Sequence, residues 1–219
     1  MKKIFIPGLV ICFLAMTPAA LAVPFGFMDI PDNNIPAIDI ATNFAGDLSA
    51  SDGRVLFKIS NNGPTTSFIR QIYWDYEGTL LSNGAFSAAN SIGITALGGV
   101  NFVWDSPINN PPQGNAIGFS ADLEAIAQKG GSGKQGVDVG ETAAFLFDGD
   151  FNNILASLNN GSLRVAIHVQ GISPGDGSDS YVNSRPAPAP VPEPATMLLF
   201  GTGLIGLAGL RKRFKQKQQ

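Results

Sequence analysis

The 219 residues suffice for one domain of ordinary size together with targeting segments. Between Val23 and Val191 the chain carries 7 basic and 16 acidic residues, a net −9 against −3 for the whole; such a body repels phosphate backbones, which excludes nucleic acid as a partner. The single cysteine, Cys12, lies in the N-terminal apolar stretch, so the rest of the chain holds no disulfide, zinc–thiolate site or cysteine nucleophile.

In chain order, Met1-Lys2-Lys3 is a basic start, residues 4–16 are apolar, and Ala20-Leu21-Ala22 has the small-x-small pattern read by signal peptidase. Residues 1–22 are therefore expected to be a signal peptide, cut after Ala22. Residues 23–183 read as one domain of short strands and dense turns. In 54–60, Val55, Phe57 and Ile59 alternate with Lys58 and Ser60, the period-two pattern of a half-buried strand. In 68–76, Phe68, Ile72, Trp74 and Tyr76 share a face, interrupted by Arg70. Further strands are expected over 38–44, 91–97, 100–104, 115–121, 142–147 and 163–170. The turns between them are marked by Asp52-Gly53, Asn83-Gly84, Gly98-Gly99 and Asp148-Gly149. One short helix is expected over 151–158, where Phe151, Ile154, Leu155 and Leu158 form a stripe, with Asp150 as N-cap and Gly161 near the C-terminal end. The expected fold is all-β, a two-sheet β-sandwich or jelly roll with one short helix.

Several stretches mimic chemical motifs. Gly131, Gly133 and Gly136 match G-x-G-x-x-G, but Val137-Asp138-Val139 follows where a dinucleotide site needs a helix, so a hairpin loop is expected. Asp148, Asp150 and Asn152 space oxygen ligands as a calcium loop does, but Asn153 replaces the loop's glycine and Asn159 its bidentate glutamate. A helix-capping turn is the plainer expectation there and calcium the alternative; no other cofactor is indicated. His168, the one histidine, has no second imidazole with which to share a zinc. Gly171-Ile172-Ser173-Pro174-Gly175 matches the hydrolase elbow G-x-S-x-G, but Pro174 has no N–H to offer an oxyanion and His168 precedes the serine. Glu77, Glu124 and Glu141 are the glutamates available to a glycosidase pair. Trp74, Tyr76 and Trp104 are candidates for a sugar-binding aromatic platform if exposed, and core residues if buried.

Within residues 184–191, Pro186, Pro188 and Pro190 alternate with alanine, a semi-rigid spacer. Pro192-Glu193-Pro194 comes next, then a 16-residue apolar run over 195–210 and the basic cluster Arg211, Lys212 and Arg213. At about 1.5 Å per residue the run covers roughly 24 Å, short of a hydrocarbon core of about 30 Å, so it is expected to be a marginal single transmembrane helix with its basic end cytoplasmic.

This three-part ending resembles the PEP-CTERM sorting signal, over residues 192–219. The stretch Leu163-Arg164-Val165-Ala166-Ile167-His168-Val169-Gln170, after the helix, is similar to a segment of a β-rich domain in other PEP-CTERM proteins. The resemblance implies export in a Gram-negative bacterium, transient anchoring in the inner membrane, and cutting at the motif by an exosortase after signal peptidase has acted. The expectation is then a non-enzymatic surface or extracellular-matrix protein associated with exopolysaccharide. A carbohydrate-binding or adhesion module with a defined ligand site is the alternative, and an exported hydrolase the third.

Overall fold

The computed structural model describes residues 22–31, 39–94, 96, 98–128 and 135–184. The expected signal peptide up to Leu21, the spacer beyond Ser184, the motif Pro192-Glu193-Pro194, the apolar run and Arg211 to Arg213 lie outside them. The described residues form β1 (Val23–Asp29), β2 (Phe44–Ser51), β3 (Arg54–Asn61), β4 (Phe68–Tyr76), β5 (Ser82–Phe86), β6 (Phe102–Trp104), β7 (Leu123–Ala127), β8 (Val137–Asp138), β9 (Glu141–Asp148), α1 (Phe151–Asn160), β10 (Leu163–Ile172) and β11 (Gly177–Asn183). Among them no helix is long and apolar enough to cross a membrane.

The mostly-β fold with one helix is as expected, but the two layers are not separate sheets. The strands form one antiparallel sheet in the order β5-β9-β3-β2-β1-β11-β10-β4-β7-β6, with β8 also on β4. The corner is β1, whose residues Val23 to Gly26 pair with β2 and whose residues Phe27 to Asp29 pair with β11. The sheet thus folds back on itself and nearly closes into a barrel, which corrects the two-sheet sandwich or jelly roll.

The alternating strands fill the interior. Phe57 and Ile59 of β3 and Phe145 and Phe147 of β9 face Ile72 and Trp74 of β4 and Val165, Ile167 and Val169 of β10, all buried. Full burial of such a side chain contributes about 1.5–3 kcal/mol. Arg70, the interruption in β4, is the extra residue of a bulge: His168 pairs with Gln71 and Val169 with Ile69. Asp150 caps α1 by accepting from the Asn153 N–H at 2.9 Å, Gly161 ends it at φ +85°, and Ile154 and Leu158 enter the main core.

Among the described residues three expected strands are absent. Over 38–44, Asp39 accepts from the Ala41 N–H at 2.8 Å and sets a tight turn, so extended pairing begins only at Phe44. Residues 115–121 instead contain a 3-10 turn (Gly114–Ile117), and Ile117, Phe119 and Ala121 lie over the outer face of the sheet on Tyr73, Ala166 and Val182. In 91–97 only Ile92 pairs, with Thr142; residues 95 and 97 lie outside the described set.

Candidate functional site

The two free ends of the sheet, β5 and β6, meet at a seam. Trp104 of β6 crosses it, donating its indole N–H to the Gly84 carbonyl of β5 at 2.9 Å. Gly84 is small because a Cβ there would come within 2.8 Å of the Trp104 ring and 2.6 Å of Phe147. Beside this latch lies a groove of about 450 Å³ lined by Gly84, Ala85, Phe86, Phe102, Val103, Trp104 and Phe145. Trp104 is 37% exposed and Val103 40%.

The expected aromatic platform is not assembled. Trp74 is 0% exposed, because its inward register on β4 sets it against Phe145 at 5.0 Å, Phe147 at 5.4 Å and Trp104 at 5.6 Å between ring centroids. It presents no face to a ligand. Tyr76 is half-buried and donates its hydroxyl to the Leu81 carbonyl at 3.4 Å. Of the three, Trp104 alone borders the groove.

The Asp148 turn does not fit a calcium loop. Asp148 accepts from Asn83 Nδ2 and from Arg54 Nε, each at 2.7 Å, and these contacts hold its carboxyl below the usual range. The guanidinium occupies the place of a cation, and the Asp150 carboxylate is spent on capping α1. Asn152 is exposed on the first turn of the helix. Among the described residues no group of three His, Cys, Asp or Glu side chains could hold a metal.

Ser173 sits in the β10–β11 turn, where its N–H donates to the Thr66 carbonyl at 3.0 Å; a strand comes after it, not the elbow's helix. His168 is buried on the outer side of β10, 3.2 Å from Ser180 Oγ through Nδ1 and 3.2 Å from Gln170 through Nε2. Burial, and then the charge of Arg70, hold the imidazole below its ordinary pKa. Glu124 and Glu141 are buried and tied to backbone: Glu124 accepts from the Asn109 N–H at 2.8 Å, and Glu141 from the Asp138 N–H at 2.9 Å. Residues 129–134 of the Gly-rich stretch lie outside the described set. The flanking strands β7 and β8 both pair with β4, and β9 comes next with no intervening helix.

Asp176 and Asp179 are a weak second acidic cluster in the sequence, but the structure groups Asp179 with Tyr181 and Asp29 instead. Asp179 of β11 is 3% exposed and accepts from the Ser180 N–H at 2.8 Å and the Tyr181 hydroxyl at 3.1 Å, and the Asp29 charge on β1 acts on it. Burial above all pushes Asp179 up to about 6. Asp29, Asp179 and Tyr181 come together only through the β1–β11 pairing, which no local pattern announces.

The described domain is thus a nearly closed antiparallel barrel, and the match to a known family model lies C-terminal to it. Residues 190–213 match the PEP-CTERM protein-sorting motif, so the chain carries that motif at its C-terminal region. The motif indicates an exported protein and implies processing by exosortase. No curated protein and no solved structure matches the chain.

Proposed function

We propose that the mature barrel is a non-enzymatic surface or extracellular-matrix protein, released by cutting at Pro192-Glu193-Pro194 and retained outside the cell by contact with exopolysaccharide. The observation that carries this reading is the sorting motif over 190–213. Support for a non-enzymatic role comes from Pro174 after Ser173, and from the commitment of Glu124 and Glu141 to backbone donors. In the proposed route the apolar run 195–210 holds the chain only briefly in the membrane, so a marginal span suffices. A second reading, a carbohydrate-binding module with a defined site, is favoured by the half-exposed Trp104 beside the seam groove, where a sugar ring could stack.

The test is to fractionate producing cultures at low and high ionic strength and take the intact mass of the recovered protein. The expected outcome is a chain ending near Pro192 that co-fractionates with the cells' own exopolysaccharide and resists salt, because screening weakens charge attraction and leaves stacking nearly intact. A mass retaining Arg211 to Gln219 would refute the cut. Release by salt would replace stacking with cation bridging, and recovery wholly in the free medium would remove the polysaccharide.

A further inference from the structure

The hairpin of β10 and β11 carries a pocket on its outer face. Gln170 pairs with Ser178 and Ile172 with Gly177, so Gly171 is the extra residue of a bulge, at φ +67°. A pocket of about 360 Å³ opens there, lined by Gln170, Gly171, Asp176 and Ser178. That volume lies within the range of about 300–1,000 Å³ usual for small-ligand sites. Val169 faces the core, so Gln170 faces out, and the register sets Ser178 beside it. Asp176, at φ +55°, stands in the turn that joins the two strands.

The lining offers hydrogen-bonding groups and no counter-charge for an anion. Asp176 and Ser178 are exposed, and among the described residues neither side chain has a hydrogen-bond or ion-pair partner. Gln170 Nε2 lies 3.2 Å from His168 Nε2, and His168 Nδ1 lies 3.2 Å from Ser180 Oγ. Burial keeps the imidazole neutral at pH 7, so its Nε2 accepts from the Gln170 amide while its Nδ1–H donates to Ser180. That row fixes the Gln170 amide and leaves its Oε1 as an acceptor. Among the described lining residues none is basic, and the −9 of the body repels anions as well. A neutral polyol satisfies all three groups: its hydroxyls donate to Asp176 and Gln170 and exchange bonds with Ser178.

Topology sets where the pocket faces. The Ser184 N–H donates to the Gly26 carbonyl at 2.9 Å, so the chain leaves the barrel beside β1, where it enters at Val23. The β10–β11 turn is at the opposite end of β11, seven residues and roughly 20 Å away. The chain that leads on to the sorting motif over 190–213 therefore departs from the end opposite the pocket. We propose that the pocket of Gln170, Asp176 and Ser178 binds the hydroxyl groups of a neutral sugar unit, on the end of the barrel away from the sorting motif. The identity of the ligand rests on the exopolysaccharide reading; the site is separate from the seam groove, with β4 and β7 between them.

The test is co-sedimentation of the exported protein with the producing cells' purified exopolysaccharide, in buffer containing EDTA. Wild type should bind. Asp176→Asn suits the left-handed backbone and replaces a charged acceptor with a neutral one, so the apparent Kd should rise by about 10-fold. Ser178→Ala should raise it by about 3–5-fold. Both side chains are exposed, so the melting midpoints should stay within about 2 °C of wild type, which separates lost binding from lost fold. Wild-type affinity in both variants would overturn the site and leave the polysaccharide reading standing. A wild-type protein that binds only when calcium replaces EDTA would overturn it too, by showing a cation bridge in place of direct hydrogen bonds. No binding with or without calcium would overturn the polysaccharide reading and the site with it.

Discussion

Trp104 separates two accounts of the seam. As a free platform its ring would serve a ligand and matter little to the fold; as a latch it holds β5 to β6. Its ring lies 5.6 Å from Trp74, 5.8 Å from Phe145 and 5.9 Å from Phe147, centroid to centroid, and its N–H bonds Gly84 at 2.9 Å. Truncating a fully buried tryptophan to alanine costs about 3–5 kcal/mol. With 37% of the residue exposed, Trp104→Ala should cost roughly 2–3 kcal/mol. At about 2–4 °C per kcal/mol for a domain of this size, the melting midpoint should fall by about 4–12 °C. Trp104→Phe keeps most of the ring contact and loses the Gly84 bond, so it should cost about 1–1.5 kcal/mol. Urea titration gives both values, and amide exchange over Ser82–Phe86 and Phe102–Trp104 should accelerate in the alanine variant ahead of the rest. An alanine variant within about 0.5 kcal/mol of wild type would refute the latch and return Trp104 to the platform.

Two further outcomes rest on local geometry. Gly46 of β2 lies opposite Phe25 of β1, and a Cβ there would enter the buried Phe25 ring, so Gly46→Ala should cost about 1–3 kcal/mol in urea. Combined with Phe25→Leu it should cost less than the sum of the single changes, and strict additivity would show that the ring is not the obstacle. Because Arg54 and Asn83 occupy the Asp148 carboxylate, millimolar calcium should leave the melting midpoint within about 1 °C; a ligand at 100 times its dissociation constant would add about 2.7 kcal/mol, and a rise of that size would restore the calcium loop.

The legible elements are those in which one physical signal decides. In β3, β4 and β10 apolar residues alternate, β9 is a short apolar run, and in α1 apolar residues recur at helical spacing between a capping aspartate and a closing glycine. The strands missed by sequence reasoning lack that signal. β5 is Ser-Asn-Gly-Ala-Phe, a polar edge strand held by β9, and β1 carries Pro24 and Gly26 within its span. β11 buries Asp179, Ser180 and Asn183, which are held by hydrogen bonds, with Asn183 Oδ1 accepting from the Val165 N–H at 2.7 Å. Alternation placed Trp74 beside Ile72, but whether that face meets a groove or another layer depends on how β1 turns the sheet, which the sequence of β4 does not encode.

That same turn explains why the seam matters. A free strand edge with apolar neighbours invites pairing with other chains. The free side of β9 is covered by β5 and, farther along, by Ser87, whose N–H donates to the Ala144 carbonyl at 2.8 Å, and by Ile92, which exchanges two bonds with Thr142. β5 and β6 are short, at five and three residues, and Trp104 bridges them, so the seam is shielded while Val103 and one border of the groove stay exposed. Around it the body carries −9, which repels anionic polymers unless a cation intervenes. Contact made through such a seam therefore selects neutral surface or cation-bridged polymer, and these two respond to salt in opposite ways: the first holds and the second releases.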